Sequence, residues 1–170
     1  ADEVWNALLE AGRPLGVLPY GVDALNTLRI EKGHVTTAEL DGNTTAHDLG
    51  FERMLKADGD YVGRVLARRP GLTAPTRRQL VGLRPTRKDA KLVAGAILVD
   101  PSTPKENIGD VTSCTPSVLV EGWVGLGLLA GGRSRIGSRL LAVSPLHGES
   151  TEVEIITPHW FDPENARVRA

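Results

Sequence analysis

Ten side chains able to bind, orient or protonate a ligand crowd into residues 31–48: Glu31, His34, Thr36, Thr37, Glu39, Asp41, Thr44, Thr45, His47 and Asp48. Carboxylates, hydroxyls and imidazoles at this density can line a polar ligand pocket. The same residue types can equally build a solvated loop, since Thr and Asp ahead of a helix are capping groups, and residue types alone leave both readings open. Two other features carry chemistry in their letters. Cys114 would be a nucleophile given a lowered thiol pKa and a neighbouring base. No base stands beside it in VTSCTPS, so a small buried side chain is the expectation. GLGLLA, residues 125–130, spells a G-x-G-x-x-A dinucleotide fingerprint. That fingerprint works only where the glycines open a helix whose N-terminus faces a pyrophosphate. Here AGGRSRIGS follows, with no amphipathic period, which points to a strand whose glycines permit close packing. The one cysteine and four scattered histidines lack zinc-ligand spacing, so no metal site is expected.

The elements that must position these groups belong to a chain of 170 residues, 41% apolar, 24% charged and 4% aromatic, enough for one sizeable core or two small ones. A net charge of -1 argues against a surface built as a whole for nucleic acid or anionic lipid. No apolar run reaches the roughly 18 residues of a membrane span, and the opening ADEVWNALLEAG lacks a secretory signal's basic start and apolar stretch. The expectation is a soluble, cytoplasmic protein with no nucleic-acid or membrane partner. Charge is nonetheless uneven: residues 60–91 carry nine basic and two acidic side chains, whereas residues 1–59 carry five and ten. With three prolines, this basic segment looks like a joint between two units. Its arginines fit a solvated linker, and a partner subunit or the charged tail of a ligand could also use them.

Before the joint the period is helical. Val4, Trp5, Leu8 and Leu9 form the stripe of a helix, with Asp2 placed to cap it and Gly12 to end it. A second helix fits residues 21–32, with Ala24, Leu25 and Leu28 on one side and Gly33 as a left-handed stop. A third fits residues 61–68, where Val62, Val65 and Leu66 share a face before Pro70 and Gly71 terminate it. Beyond the joint, RQLVGLRP, GAILVD, DVTSCT, SVLVEGWVGLGLLA, SRLLAVS and TEVEIITP are short β-branched runs separated by Gly, Pro, Ser and Asp. They predict a small closed or sandwich-like β domain. Alternation of Val153 and Ile155 with Glu152 and Glu154 predicts a strand near the outside, with one buried and one wet face. The class is α+β.

Seven phrases in order carry further information: ALNTLRIEKGH, ELDGNTTAHDLGFERM, VGRVLARR, RQLVGLRP, GDVTSCTPSVLVEGWVGLGLL, RIGSRL and PHWFDPENARVR. Together they resemble the carboxy-terminal region of the aminomethyltransferase family, the folate-dependent T-protein of glycine cleavage and its relatives. The resemblance spans essentially the whole chain. LRIEKGH, DGNTTAHDLG and FDPENAR look most like the branch formed by the α subunits of heterotetrameric sarcosine oxidase.

The resemblance implies the C-terminal part of a folate-binding α+β domain over residues 1–74, followed by a small antiparallel β-barrel over residues 75–170. It also implies an assembly in which an amine is oxidised at a flavin on another subunit. The imine then meets tetrahydrofolate, giving glycine, 5,10-methylenetetrahydrofolate and hydrogen peroxide. FAD, FMN, NAD and a zinc ion belong to that assembly and to other domains or subunits, so the partners implied are the other sarcosine oxidase subunits. By the same resemblance Thr44, Thr45, His47 and Asp48 lie in the loop beside the folate pocket. Arg53 stands where T-proteins have a tryptophan, so Phe51 could offer a ring and Arg53 could reach a folate carboxylate. Arg29 and Glu31 fall on the family's LR-x-E core, where they could pair with neighbouring elements or cap a loop. Leu25 replaces the arginine that T-proteins place four residues before that core, a departure that suits an oxidase relative better than a glycine-cleavage enzyme. The family's catalytic aspartate and pterin-holding acid would precede Ala1. The chain is therefore expected to be the C-terminal portion of a larger subunit, with no catalytic residue and only part of a tetrahydrofolate site. The alternatives are a non-catalytic binding or assembly module and an aminomethyltransferase.

Overall fold

Strand-forming residues dominate from Arg78 onward, and in the computed structural model, which describes every residue except 57, 168 and 170, they make six strands. These are β1 (Arg78–Pro85), β2 (Ile97–Val99), β3 (Gly109–Ser117), β4 (Gly122–Ala130), β5 (Arg139–Ser144) and β6 (Glu149–Ile156). All pair antiparallel in the order β1-β4-β3-β2-β5-β6, and β6 closes back on β1. The α+β class and the barrel expected from the sequence are present. The run SVLVEGWVGLGLLA is broken, however: residues 118–121 form a turn, with Glu121 at φ 50°, before β4 begins. On β6, Val153 and Ile155 are buried while Glu152 and Glu154 face outward, as the alternation requires. Because β6 pairs with both β1 and β5, its wet face belongs to the barrel wall and not to a sheet edge.

One apolar core fills the barrel, with Leu83, Leu98, Leu129, Leu140, Val153 and Ile155 among its fully buried members. The glycines of GLGLLA face this interior. A Cβ on Gly125 would lie 2.6 Å from Leu92 Cδ2 and 2.7 Å from the Ser113 carbonyl oxygen, and one on Gly127 would lie 2.9 Å from Leu83 Cδ1. The run is a strand with close-packed glycines, not the start of a nucleotide-binding helix. Cys114 is partly buried, with Sγ 3.2 Å from the Leu92 carbonyl, and burial pushes its thiol pKa up. Its place is that of a packing side chain.

A second core lies outside the barrel, where Ile30 and Leu49 cover Leu80, Val124 and Leu126 on the outer face of β1 and β4. Its lid is α2 (Val22–Lys32), stopped by Gly33 at φ 76° as the sequence predicts. The buried face differs from the expected one. Leu25 and Leu28 are exposed, and α2 instead turns Thr27, Arg29, Ile30 and Glu31 toward the barrel. The reason is chemical: the wall it meets, on β3, is a row of hydroxyls. Thr27 Oγ1 lies 2.8 Å from Thr115 Oγ1, Arg29 Nη2 donates to Ser113 Oγ at 2.7 Å, and Ser117 Oγ donates to Glu31 Oε1 at 2.6 Å.

Three helical expectations change. α1 (Asp2–Gly12) has Ala1 at its cap position and Asp2 inside its first turn, and Gly12 does not stop it. The chain continues into a 3₁₀ turn over Arg13–Leu15 that ends at left-handed Gly16, while Gly12 gives room to Val17, whose Cγ2 would lie 2.5 Å from an added Cβ. Val4, Trp5 and Leu8 remain exposed. The helix expected over residues 61–68 is present only as α3 (Arg64–Ala67), and a second four-residue helix, α4 (Pro70–Thr73), follows it. Pro70 starts the second one, where its missing N–H costs nothing.

Candidate functional site

The polar stretch after α2 is held as a series of turns by its own side chains. Asp48 accepts from the Thr45 backbone N–H at 2.9 Å, and the Asp48 N–H donates back to Thr45 Oγ1 at 3.2 Å. Thr44 Oγ1 donates to Asp41 Oδ1 at 2.7 Å and lies 3.2 Å from the Glu39 carbonyl. The barrel then grips this loop. Arg77, just ahead of β1, donates to Asp48 Oδ1 from Nε at 2.9 Å, and from Nη2 to Asp48 Oδ2 and to the Asn43 carbonyl, both at 2.7 Å. The Leu80 N–H donates to the Asp48 carbonyl at 2.8 Å. Burial alone would raise the Asp48 pKa. The Arg77 hydrogen bonds, the Thr45 bonds and the guanidinium charge outweigh it, so the carboxyl sits below the ordinary carboxylate range. Asp48 is therefore a fixed anion committed to Arg77 and not a proton acceptor near neutral pH.

Between this loop and the outer wall of the barrel runs a cleft of about 410 Å³, whose polar lining includes Asp41, Asn43, Thr44, Arg77, Arg78 and Asp110. Arg78 Nη1 donates to Asp110 Oδ2 at 2.8 Å. Carboxylates and guanidinium groups face the same space, which suits a ligand with both hydrogen-bond donors and acceptors. Thr44 and Asp48 line the cleft; Thr45, His47, Phe51 and Arg53 do not. His47 Nδ1 lies 3.7 Å from Glu52 Oε1, Phe51 packs half-buried on the outer apolar core, and Arg53 is exposed. No described residue partners Arg53 by a hydrogen bond or ion pair. The six candidate residues are thus divided: the polar atoms of Thr44, Thr45 and Asp48 are taken up by bonds within the loop and to Arg77, while His47, Phe51 and Arg53, on the same stretch of chain, lie off the cleft.

Three groups central to the geometry are not among the six site residues that the resemblance implies. Glu39 is 1% exposed and is the hub behind the loop. Its Oε2 accepts from Arg29 Nη1 at 3.0 Å and from the Thr36 N–H at 2.8 Å, and its Oε1 accepts from Thr112 Oγ1 at 2.8 Å and Ser113 Oγ at 2.5 Å. Burial would raise its pKa, and the Ser113, Thr36 and Thr112 bonds with the Arg29 charge more than reverse this. Arg77 and Arg133 were visible only as members of a basic tract and of a small-residue turn, and only the folded chain puts them against the loop. Arg29 and Glu31 pair with neighbouring elements, one of the two roles open to them from sequence.

The chain matches two family models: one described as the GCVT N-terminal domain over residues 1–59, and one described as the glycine cleavage T-protein C-terminal barrel domain over residues 78–162. It is 42% identical over 98% of its length to sarcosine oxidase subunit alpha of Rhizobium meliloti (strain 1021) and spans 17% of that protein. It is 32% identical over 96% of its length to sarcosine oxidase subunit alpha of Corynebacterium sp. (strain P-1), again spanning 17% of it. An aminomethyltransferase of Porphyromonas gingivalis (strain W83) is 28% identical over 93% of the chain, which spans 43% of that enzyme. The crystal structure of the glycine cleavage system aminomethyltransferase T from Bartonella henselae superposes with a TM-score of 0.76 over 92% of this chain and 42% of its own. At 22% identity that likeness speaks to the fold.

Proposed function

The chain belongs to the glycine cleavage T-protein family, and on that premise we propose that it acts as the C-terminal part of a sarcosine oxidase α subunit. The observation that carries this reading is 42% identity over 98% of the chain to one such subunit, above the 28% to the Porphyromonas aminomethyltransferase over a similar length. The reaction proposed is the oxidative demethylation of sarcosine. Sarcosine, dioxygen and tetrahydrofolate become glycine, hydrogen peroxide and 5,10-methylenetetrahydrofolate. Tetrahydrofolate, when bound, supplies the two nitrogens that take up the one-carbon unit. Oxidation of the amine is assigned to other subunits of the assembly, with their flavin and nicotinamide cofactors.

The part proposed for this chain is one wall of the folate pocket, with residues 1–74 as that wall and residues 75–170 as the barrel that backs it. The residues divide by fit. Phe51 keeps part of its ring exposed and can stack on the flat part of the ligand. Arg53 has no acceptor among the described residues, so its guanidinium is available to a tail carboxylate. His47 presents an imidazole beside them. Thr44, Thr45 and Asp48 act by holding the backbone that carries these three, because their polar atoms are taken up by Asp41, Arg77 and each other. The chemistry left to this wall is orientation of the acceptor, a contribution to proximity.

The test is Arg53→Ala in the assembled oxidase. The expected result is a KM for tetrahydrofolate raised about tenfold, the size of a lost charge-assisted hydrogen bond, with sarcosine-dependent peroxide formation unchanged and free formaldehyde replacing methylenetetrahydrofolate. A parallel fall in both rates would show that Arg53 supports the structure and not the ligand.

A further inference from the structure

The loop that carries His47, Phe51 and Arg53 is gripped by the barrel on two sides, and the grips differ in kind. On the cleft side Arg77 meets Asp48, whose side chain is 4% exposed. On the far side stands Arg133, in the 3₁₀ turn Gly132–Arg135 that follows β4. This turn is seated firmly. The Arg133 N–H donates to Gln79 Oε1 at 2.9 Å, and a Cβ on Gly132 would lie 2.7 Å from Val81 Cγ1, so the turn is pressed onto β1. From that base the Arg133 guanidinium reaches across to the loop, donating from Nη1 to Glu52 Oε1 and from Nη2 to the His47 carbonyl. It therefore holds the loop at two points five residues apart, one on the backbone and one on a side chain. Burial tends to raise the Glu52 pKa, but the Glu52 backbone N–H and Arg133 more than offset this, leaving the carboxyl charged near neutral pH.

We propose that Arg133 is the positioning residue of the loop: by bridging the His47 carbonyl and the Glu52 carboxylate it sets where His47, Phe51 and Arg53 stand relative to the barrel. It touches no ligand itself. Its side chain is 43% exposed and that of Glu52 32%, so the bridge is too wet to carry the fold. It adds to a short turn held by local backbone bonds, among them Leu49 N–H to the Thr45 carbonyl at 3.3 Å, Gly50 N–H to the His47 carbonyl at 3.3 Å and Phe51 N–H to the Ala46 carbonyl at 2.8 Å. A lysine at this position would have to reach both acceptors from one nitrogen, which fixes their spacing less firmly than the two separate nitrogens of the planar fork.

The inference depends on the folate reading only for what the loop would hold, and the test separates the two. Amide hydrogen exchange is measured on the chain without ligand, for the parent, Arg133→Ala, Arg133→Lys and Glu52→Gln. The expected result for Arg133→Ala is exchange about tenfold faster at the Gly50 and Phe51 amides, with β1 and β4 amides unchanged. Arg133→Lys and Glu52→Gln should fall between it and the parent. Unchanged exchange in the loop would overturn the proposal, and so would equal loosening of the β1 and β4 amides, which would make Arg133 a fold residue. In the assembled oxidase, Arg133→Ala should raise the KM for tetrahydrofolate about fivefold at constant kcat. If Arg53→Ala raises that KM and Arg133→Ala does not, positioning is refuted. If neither does, the folate reading fails and the exchange result alone decides the role of Arg133.

Discussion

Replacing Glu39 in two ways separates a charge from a set of hydrogen bonds, and the structure says what each replacement should cost. Oε2 receives Arg29 and the Thr36 N–H, groups that can only donate. Oε1 receives the hydroxyls of Thr112 and Ser113, which can also accept. Glu39→Gln can therefore aim its carbonyl at Arg29 and Thr36 and its NH2 at the two hydroxyls. Thr112 then turns its own proton to the Leu126 carbonyl, already 3.1 Å away. What is lost is the negative charge opposite an arginine whose side chain is only 13% exposed. That loss should cost about 2 kcal/mol, the usual size of a charge-assisted hydrogen bond. Glu39→Leu leaves the Arg29 guanidinium, still bonded to Asn26 and Ser113, without its counter-charge and the Thr36 N–H without its acceptor, and should cost about 3 to 4 kcal/mol, in the range for breaking a buried pair by removing one partner. Urea unfolding at pH 7 followed by Trp fluorescence measures both, with equal m-values as the check that one transition is being compared. Below the lowered native pKa of Glu39 the parent carries a neutral acid there, so its advantage over Glu39→Gln should vanish on acidification. Equal costs for the two variants, or a Gln penalty that ignores pH, would refute the hub reading.

Three further outcomes are expected. Asp48 and Glu39 both have native pKa values below their unfolded ones of roughly 4, so the folded chain binds fewer protons there. Their stabilisation is complete above about pH 5 and is lost as pH falls through the native values, which a urea midpoint series against pH would read. Gly125→Ala drives a methyl into Leu92 and the Ser113 carbonyl and should cost about 2 kcal/mol by overpacking, whereas Gly42→Ala, with open space around it, should be near neutral in the same unfolding assay. Cys114, its thiol pKa raised by burial, should react with an aromatic disulfide at pH 8 about a hundredfold more slowly in the folded chain than in urea.

The barrel was legible because its strands are short β-branched runs set off by Gly, Pro and Ser, and because the alternation at Val153 and Ile155 states which face is dry. Gly33 was legible as a helix stop for a similarly local reason: a left-handed residue needs no Cβ. The buried face of α2 was not. Periodicity counts apolar side chains, so it pointed to Leu25 and Leu28, while the surface that α2 meets offers Ser113, Thr115 and Ser117 and selects Thr27, Arg29 and Glu31 instead. The cap at Asp2 and the stop at Gly12 failed because each residue type has a second use, a first-turn carboxylate in one case and close packing in the other. In the candidate site the density of polar residues over 31–48 marked the loop, but not which members hold it together. That division rests on Arg77 and Arg133, which lie about 30 and 85 residues further along the chain and meet the loop only through the barrel.

The three hydroxyls on β3 repeat every second residue, about 7 Å apart along the strand. Their counterparts on α2 are unlike one another: a hydroxyl at Thr27, a guanidinium at Arg29 and a carboxylate at Glu31. A hydroxyl can serve any of the three, so the register is fixed by Arg29, which must also meet the buried Glu39 carboxylate; a slide by one repeat would part that pair, a cost that a greasy seam would not impose. The helical layer therefore seats on the barrel in one place only, like a key with uneven teeth. Every copy of the molecule must present the loop at the same distance from the barrel wall, and the width of the cleft between them is inherited from that seating.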